Sequence, residues 1–435
     1  MASLYQNKWL LVRLSIALAA GAFAAYLWTV HFPMPPTTLS LTTAGMPGSY
    51  HSLGLRYAER FAEHGVTLEV LPSEGSQQNL ERLRATKNPA ELAFLQGGFG
   101  YLGTSLERRE RSQIETLANI QIEGAWLFTR QRPITALAQL KGLRIAIGPV
   151  GSGSRRVALK LLEQAQIGAQ DVTLSAEAGP SAAAALILEL VDAVFFVAPN
   201  DSTTLQILLA MPGAQLASLS KTAAISERIP CLEPRLLAQG ALGRGLPPRD
   251  TTVLTTTASL VAREELHPAL KRLAVAISAE VHTTPGLFHR AGEFPSLKRL
   301  DFPSAHIARN TLTHGLPFLE RKLPFWWAQL AQRLLFLVFP IALVAYGLMR
   351  FIPWMFRWAM ENRLARWYGE LKFIENDLSQ ADVPGIDLAK FLQRLNVIEK
   401  ALLDFRCPKD LMPRCYRLRQ HIDFVRLRLY SVRGR

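Results

Sequence analysis

The chain has 435 residues, 49% of them hydrophobic, with 49 Lys+Arg, 35 Asp+Glu and three cysteines. This length fits two or three domains, the hydrophobic content excludes a disordered protein, and so few cysteines exclude a disulfide-stapled scaffold. The net charge of +14 lies mainly at the ends, since residues 350–435 carry 17 basic and 10 acidic side chains. Basic ends around a nearly balanced middle suit membrane flanks better than a DNA-binding domain.

An uncharged apolar run covers residues 14–30 and follows Lys8 and Arg13. It approaches the roughly 20 residues that a membrane-spanning helix needs. Two interpretations remain open: a retained anchor, or a signal peptide that is cleaved after Ala22 or Ala24. Both predict export of the chain that follows, and we assign residues 1–32 to this N-terminal end.

A second apolar run covers residues 334–349, with Trp326 and Trp327 before it and Trp354 after it. Tryptophans at both ends are typical of a membrane span, and a proline within such a span, here Pro340, is tolerated. The sequence therefore predicts a transmembrane helix within 326–352, with a buried core helix as the alternative.

The basic residues lie before the first run and after the second. Because cytoplasmic flanks of membrane spans are enriched in Lys and Arg, both termini are expected in the cytoplasm. Residues 33–325 are then expected in the periplasm, attached to a bacterial inner membrane.

The predicted exported domain repeats one pattern of elements. Apolar strands are predicted at 39–44, 66–71 and 92–96 and again at 144–148, 172–176 and 193–198, with helices at 52–64, 77–86, 155–166 and 181–190. Strands that alternate with helices indicate parallel sheets with crossover helices. The sequence therefore predicts an α/β fold with two lobes.

Small residues form loops at 45–49, 72–76 and 149–154, each at the start of a predicted helix. Helix starts offer free backbone N–H groups and a partial positive charge, and such loops lie at the carboxyl ends of parallel strands, where ligands bind. One interpretation is therefore a cleft between the lobes that binds a small anion, above all a carboxylate. The other is that these are ordinary glycine turns.

Several segments together resemble a known family. They are GMPGSYHSLG (45–54), SEGSQQNL (73–80), LAFLQ (92–96), LKGLRIAIGPVGSGSRR (140–156), VDAVFFVAP (191–199), TTASLVAREELHPAL (256–270) and GLPFLERKLPFWW (315–327). In order and spacing they look like the TAXI-type solute receptors of TRAP transporters. The resemblance covers nearly the whole chain from about 39 to 430.

This resemblance implies a two-lobed type II periplasmic binding protein fold, flanked here by two transmembrane helices and a helical cytoplasmic tail. Lobe 1 would comprise about 39–125 and 255–320, and lobe 2 about 130–250, with hinges near 124–133 and 251–258. The residues that it places in the ligand cleft are Ser49, Tyr50, Ser76, Asn79 and Gln96 from lobe 1, and Ser152 and Ser154 from lobe 2.

The chain departs from the family at Pro47, at His51–Ser52 and at Glu74. Glu74 places a carboxylate two residues before Ser76, in a loop expected to face the cleft. It would repel an anionic ligand or pair with an amine. The alternative is that its side chain points to solvent.

Signatures of catalysis are missing from the sequence: it has no G-x-S-x-G elbow, no H-E-x-x-H helix and no Lys-Ser/Thr after the 148–154 loop. We therefore predict no enzymatic activity, no catalytic residue, no cofactor and no metal site. Cys231 is the single cysteine of the exported domain, while Cys407 and Cys415 fall in the predicted cytoplasm, where their spacing does not indicate a zinc site.

The tail, residues 353–435, shows apolar residues at helical spacing over 354–378, 387–405 and 414–432, with a break at Pro384–Gly385. Its basic excess predicts contact with anionic lipid of the inner membrane. A protein partner is the alternative, and nucleic acid is not expected.

The sequence as a whole predicts a membrane-tethered periplasmic receptor. It would bind a small organic acid, a carboxylate or an amino acid, and deliver it to a TRAP-type permease. The alternative is a sensor or scaffold that binds a ligand and signals through the cytoplasmic tail.

Overall fold

The computed structural model describes residues 2–46, 48–100, 113–243, 245–380 and 388–433. It divides into two compact units: residues 33–332, and residues 1–32 together with 333–435. The first unit holds every strand of the described chain, and the second is helical.

The strands of the first unit are β1 Thr38–Thr42, β2 Thr67–Leu71, β3 Leu92–Gln96, β4 Ile114–Arg130, β5 Arg144–Ala146, β6 Thr173–Ser175, β7 Ala193–Ala198, β8 Ala214–Leu216, β9 Glu233–Leu237 and β10 Thr251–Arg263. Its helices, numbered after the N-terminal helix α1, are α2 Ser49–Glu63, α3 Ser76–Arg84, α4 Gly153–Gln164, α5 Gly179–Ile187, α6 Thr203–Ala210, α7 Thr222–Arg228, α8 Pro268–Val281, α9 His306–His314, α10 Phe318–Lys322 and α11 Phe325–Arg333.

The main path of the sheet runs β2-β1-β3-β10-β4-β7-β5-β6. Strand β1 pairs in parallel with β2 and β3, and β5 pairs in parallel with β6 and β7. The two parallel α/β halves are therefore the ones that the sequence predicts, and this fold prediction is confirmed.

Two long antiparallel strands, β4 and β10, join the halves. The first part of β4 pairs with β10, and from Gly124 onward β4 pairs with β7 of the second half. Strand β10 pairs with β9 up to Thr255 and with β3 from Ala258. The chain thus crosses between the lobes at 123–125, within β4, and at 255–258, within β10. Neither strand is interrupted at its crossing. The sequence analysis expected hinges there without predicting these strands.

Each lobe has its own hydrophobic core. In lobe 1 the buried face of α2 carries Tyr57 and Phe61, four residues apart, which pack with Phe94 of β3. In lobe 2 the sheet is covered on both sides, by α4 through Leu161 and by α6 through Leu205. Burial of side chains of this size stabilises by about 1.5–3 kcal/mol each. Helix α2 in lobe 1 and helices α4 and α6 in lobe 2 are therefore held firmly against the sheet.

The segment that precedes the second apolar run is fixed to lobe 1. Phe325 is buried in the core of that lobe, and Trp326 donates a 3.2 Å hydrogen bond to the carbonyl of Gly65. Glu320 accepts hydrogen bonds from Arg272 of α8 and from Gln329 of α11. Because Glu320 is buried, these charge-assisted bonds hold α11 firmly in place.

The helical unit contains α1 Ala2–Val30, a π-helical turn Leu334–Val338, α12 Phe339–Gln380, α13 Leu388–Asp404 and α14 Met412–Arg433. Segments Trp9–Val30 and Phe325–Leu378 are long and apolar enough to cross a membrane, judged by length and composition alone. The sequence predicted separate helices at 334–349 and 354–378, whereas α12 is continuous through Pro353. The predicted break at Pro384–Gly385 lies outside the described residues.

The tail helices pack on one another through the apolar positions that their spacing predicts. Leu371 and Ile374 of α12 meet Ile398 of α13 and Leu418 and Ile422 of α14 in one core. A disulfide joins Cys407 to Cys415, a bond that the sequence analysis did not predict, and Cys231 is free.

Candidate ligand-binding cleft

The two lobes touch where their helix-start loops meet. The backbone N–H of Gln77, in the first turn of α3, donates a 3.3 Å hydrogen bond to the carbonyl of Gly151 in lobe 2. Gly75 faces Ser152 at the same place. The structure is therefore that of a closed cleft, in which one helix-start donor of lobe 1 is bonded to lobe 2.

Two glycines permit this closure. Gly75 has φ +135°, and a Cβ there would lie 3.1 Å from Cα of Ser152. A Cβ on Gly153, the first residue of α4, would overlap the side-chain amide of Gln96. Glycine allows such close approach without displacing a neighbour, so a side chain at either position would push away the backbone of Ser152 or the side chain of Gln96 in the closed form.

A third contact between the lobes joins Arg156 and Phe99. The guanidinium carbon of Arg156 in α4 lies 3.8 Å from the centroid of the Phe99 ring, a cation–π contact. Asp301 holds the Phe99 loop by accepting a 2.6 Å hydrogen bond from the N–H of Gly98. Burial lowers the pKa of Arg156 below its usual value, yet the group stays cationic, because arginine is effectively always protonated in proteins.

A buried carboxylate lies at the point where the chain crosses between the lobes. Glu123 of β4 is 1% exposed. Its Oε2 accepts a 3.0 Å hydrogen bond from the Tyr50 hydroxyl of α2, and its Oε1 accepts a 3.1 Å bond from Nε2 of Gln121. Both donors are neutral groups, and no cationic side chain pairs with Glu123 within the part of the chain that the structure describes.

Burial raises the pKa of Glu123 to about 7, because desolvation disfavours its charged form. The bonds from Gln121 and Tyr50 act in the opposite direction, and the charge of Asp201 raises the pKa further. The pKa of Tyr50 is raised well above its usual value by burial and by Glu123. Tyr50 therefore stays a neutral donor, while Glu123 changes charge near neutral pH.

Two more polar atoms lack partners near this carboxylate. Thr256 is directly opposite Glu123 in the β4–β10 register, and its Oγ1 has no hydrogen-bond partner among the described residues. Nε2 of Gln96 likewise has none in that part of the chain. Gln96 pairs with Ala258, two residues along β10 from Thr256. Since strand side chains alternate, Gln96, Thr256 and Glu123 lie on one face of the sheet.

The predicted serines are present at the cleft, but each holds a backbone group of the protein. Ser76 accepts a 3.0 Å hydrogen bond from the N–H of Gln96, and Ser154 accepts a 2.9 Å bond from the N–H of Val197. Ser152 caps α4 by accepting from the N–H of Arg155. Each serine hydroxyl keeps a proton that it can still donate.

Asn79 has a different environment from the other predicted site residues. It is fully buried in lobe 1, where it accepts from Thr42 and donates to the carbonyls of Thr43 and Phe94. These contacts tie α3 to β1 and β3, so the side chain is engaged in the scaffold.

Ser49 and Glu74 are both exposed, Ser49 at the first position of α2 and Glu74 in its loop. Pro47, the other departure named above, lies outside the described residues. The side-chain carboxylate that the structure buries at the cleft is therefore that of Glu123, not that of Glu74.

Sequence inspection missed Glu123, Thr256 and Arg156. The signal for Glu123 was a single acid in an otherwise nearly uncharged strand, QIEGAWLF (121–128). Charged side chains are almost never fully buried unless paired, so an acid within such a strand points to a specific role. Arg156 lies in the segment GSGSRR (151–156), to which the sequence analysis assigned a role only for Ser152 and Ser154.

The crossing strands, the two parallel halves and the closed interlobe cleft define a periplasmic-binding-protein-like fold. Residues 41–273, more than half of the chain, match the model of the NMT1-like family. The chain belongs to the NMT1-like family. No protein of the curated collection matches it.

Solved structures similar to this chain have low identity and low structural overlap. The periplasmic aliphatic sulphonate binding protein SsuA from Escherichia coli is 16% identical, over 57% of this chain and 69% of its own, with a TM-score of 0.36. A putative periplasmic sulfonate-binding protein SsuA from Methylobacillus flagellatus KT is 13% identical, over 57% and 69%, with a TM-score of 0.34. The CcmR regulatory domain of Synechocystis PCC6803 in complex with 2-PG is 10% identical, over 57% and 98%, with a TM-score of 0.37.

Proposed function

We propose that the chain is a membrane-tethered solute receptor whose interlobe cleft closes on a small organic acid or amino acid. The observation that carries the proposal is the cleft itself: the helix starts of both lobes meet there, and the buried atoms Nε2 of Gln96 and Oγ1 of Thr256 have no hydrogen-bond partner among the described residues. Buried polar groups are nearly always hydrogen-bonded. Two such atoms beside a closing interface therefore point to a ligand as the missing partner.

The helix starts and Arg156 supply the positive end of this site. Small hydroxyls of Ser76 and Ser152 stand at the starts of α3 and α4, where backbone N–H groups and the helix dipole favour an anion. A ligand carboxylate there is the proposed partner. The resemblance to TAXI-type receptors supports delivery to a TRAP-type permease, and membrane attachment through 14–30 and 334–349 suits a receptor that remains beside its permease.

A sensor is the second candidate, and the tail favours it. Helix α12 runs unbroken from the second apolar run into the packed tail core. A groove of about 910 Å³ between α12 and α14 is lined by apolar Leu364 and Phe424 and by charged Arg414, Arg417 and Glu361. A continuous helix and a mixed groove suit transmission to a protein partner.

The full-length protein, purified in detergent, tests the receptor proposal. Native mass spectrometry is expected to find a co-purifying small acid, and calorimetry with that compound should give a single site. Ser76→Ala and Ser152→Ala should each weaken its affinity by about 10–100-fold if their hydroxyls donate to a charged ligand. Unchanged affinity in both variants would show that the Ser76 and Ser152 hydroxyls do not bind the ligand and only accept hydrogen bonds from the protein backbone.

Removal of residues 388–435 separates the two candidates in cells. A transport receptor should retain uptake of the radiolabelled ligand, because its cleft and spans are intact. A sensor should retain ligand binding and lose its cellular response.

A further inference from the structure

We infer that Glu123 binds a protonated nitrogen of the ligand, so that the cleft selects a solute carrying both an acid group and an ammonium-type group. The inference rests on the proposed function, since it assumes that the cleft takes a small solute. It replaces Glu74 with Glu123 as the acidic determinant of specificity.

The first step is the unused capacity of the carboxylate. An ionised carboxylate can accept about four hydrogen bonds, whereas Glu123 accepts one on each oxygen, from Tyr50 and from Gln121. Its 1% exposure leaves almost no access to bulk water. A buried charge is costly unless it is paired, and no cation of the described chain pairs with it.

The second step is the pair of orphan atoms beside it. Thr256 is 2% exposed and lies across the strand pair from Glu123, and Gln96 is 6% exposed on the same face. Thr256 Oγ1 can accept from the same ammonium that pairs with Glu123. The side chain of Gln96 lies beside Gly153 at the start of α4, and its Nε2, which has no partner in the described part of the chain, can donate to the acid group.

The third step is the distribution of charge across the cleft. Asp201, which follows β7, adds a second negative charge near Glu123. Arg156 and the start of α4 are positive and lie towards the Phe99 loop. Separate negative and positive ends favour a zwitterion over a simple anion, which Glu123 and Asp201 would repel.

One alternative is that Glu123 is protonated and donates to the ligand's acid group. Both of its oxygens already accept from neutral donors, which favours the ionised form. The two cases also differ in pH dependence. Pairing with an ammonium weakens below neutral pH, whereas donation by a protonated Glu123 strengthens. The groups facing Glu123 are Tyr50 and Gln121, both neutral, and Asp201, whose charge raises the pKa of Glu123.

The test uses calorimetry on the full-length protein in detergent with matched probe pairs: L-glutamate and α-ketoglutarate, L-alanine and pyruvate, L-phenylalanine and phenylpyruvate. We expect the preferred amino acid to bind at least about tenfold more tightly than its keto acid, because only the amino acid forms the charge-assisted bond. Glu123→Gln should weaken amino-acid binding by about 10–100-fold, and it should leave keto-acid binding unchanged or stronger, because a charge that repels a simple anion is removed. Glu227→Gln, at an exposed position of α7, is the matched control.

The outcomes separate this inference from the receptor proposal. A keto acid that binds as tightly as its amino acid, or an amino acid that is unaffected by Glu123→Gln, overturns the role of Glu123 and leaves the receptor standing. Affinity that increases from pH 8 to pH 6 also overturns it, in favour of a protonated Glu123. If neither probe class binds, the receptor proposal fails, and the inference fails with it. Thr256→Val, which keeps the side-chain shape, repeats the test should Glu123→Gln fail to fold.

Discussion

Tyr50 joins the start of α2 to the strand that crosses between the lobes, through its 3.0 Å hydrogen bond to Glu123. Both side chains are buried, and Tyr50 also packs against Phe94 of the lobe 1 core, with ring centroids 5.8 Å apart. The first helix-start loop of the cleft is thereby coupled to a crossing point. Substitutions at Glu123 should therefore change both the stability of the fold and the affinity for the ligand.

The first prediction concerns this bond. Tyr50→Phe removes the donor and should destabilise the fold by about 1.5–3 kcal/mol at pH 8, because a buried, charged acceptor loses a partner. Thermal unfolding in detergent measures the change. Tyr57→Phe is the matched control, since the Tyr57 hydroxyl is buried without a hydrogen-bond partner among the described residues. Equal destabilisation by both variants would contradict a specific Tyr50–Glu123 contribution.

The second prediction concerns pH. The folded pKa of Glu123, about 7, is above the unfolded value of 4.5, so between these values the folded state holds more protons than the unfolded state. Stability should then fall as pH rises from 5 to 8, by about 3 kcal/mol from this group. Glu123→Gln does not titrate, so the stability of the wild type relative to this variant should decline over the same range. A difference that stays constant with pH would place the folded pKa near its ordinary value.

The third prediction concerns closure. Gly153→Ala should hold the lobes apart, because its Cβ would overlap Gln96. Hydrogen–deuterium exchange of peptides around Gln77 and Gly151 should become faster, since their interlobe bond breaks. Gly369→Ala, in α12 with nothing near the added carbon, should leave that exchange unchanged. Protection of Gln77 that matches the wild type in Gly153→Ala would show that the lobes close despite the added carbon.

The repeated strand–loop–helix pattern was predictable because it is local. Strands β3 and β7 begin and end at the predicted residues, and the helix-start loops lie where the small residues stand. The roles of the serines were harder to predict, because a serine at a helix start suits an N-cap as well as a ligand site. Ser152 is such a cap in the structure.

The environment of Glu123 could not be predicted from local pattern. It depends on the register of β4 with β10, which places Thr256 opposite, and on Tyr50, which is 73 residues away along the chain. The sequence shows an acid in an apolar strand, but only the tertiary pairing shows which polar groups surround it. Local pattern indicates Glu74, in the 72–76 loop, as the acid of the cleft, whereas the structure leaves Glu74 exposed.

The last prediction concerns the side of the membrane on which the tail lies. The structure joins Cys407 to Cys415 by a disulfide. The basic flank after residue 349, however, predicts that the tail lies in the cytoplasm, a reducing compartment where disulfides are rare. The positive flank is the stronger argument for location, because two cysteines held close by packing can remain reduced. In growing cells both thiols should therefore react with a membrane-permeant maleimide and not with an impermeant one.

A reporter that is active only in the periplasm should be active when fused at about residue 315 and silent at 435. If the cysteines resist alkylation until a reductant is added, and a reporter at 435 is active, the tail lies in the oxidising periplasm. That result would contradict the two-span topology with both termini in the cytoplasm.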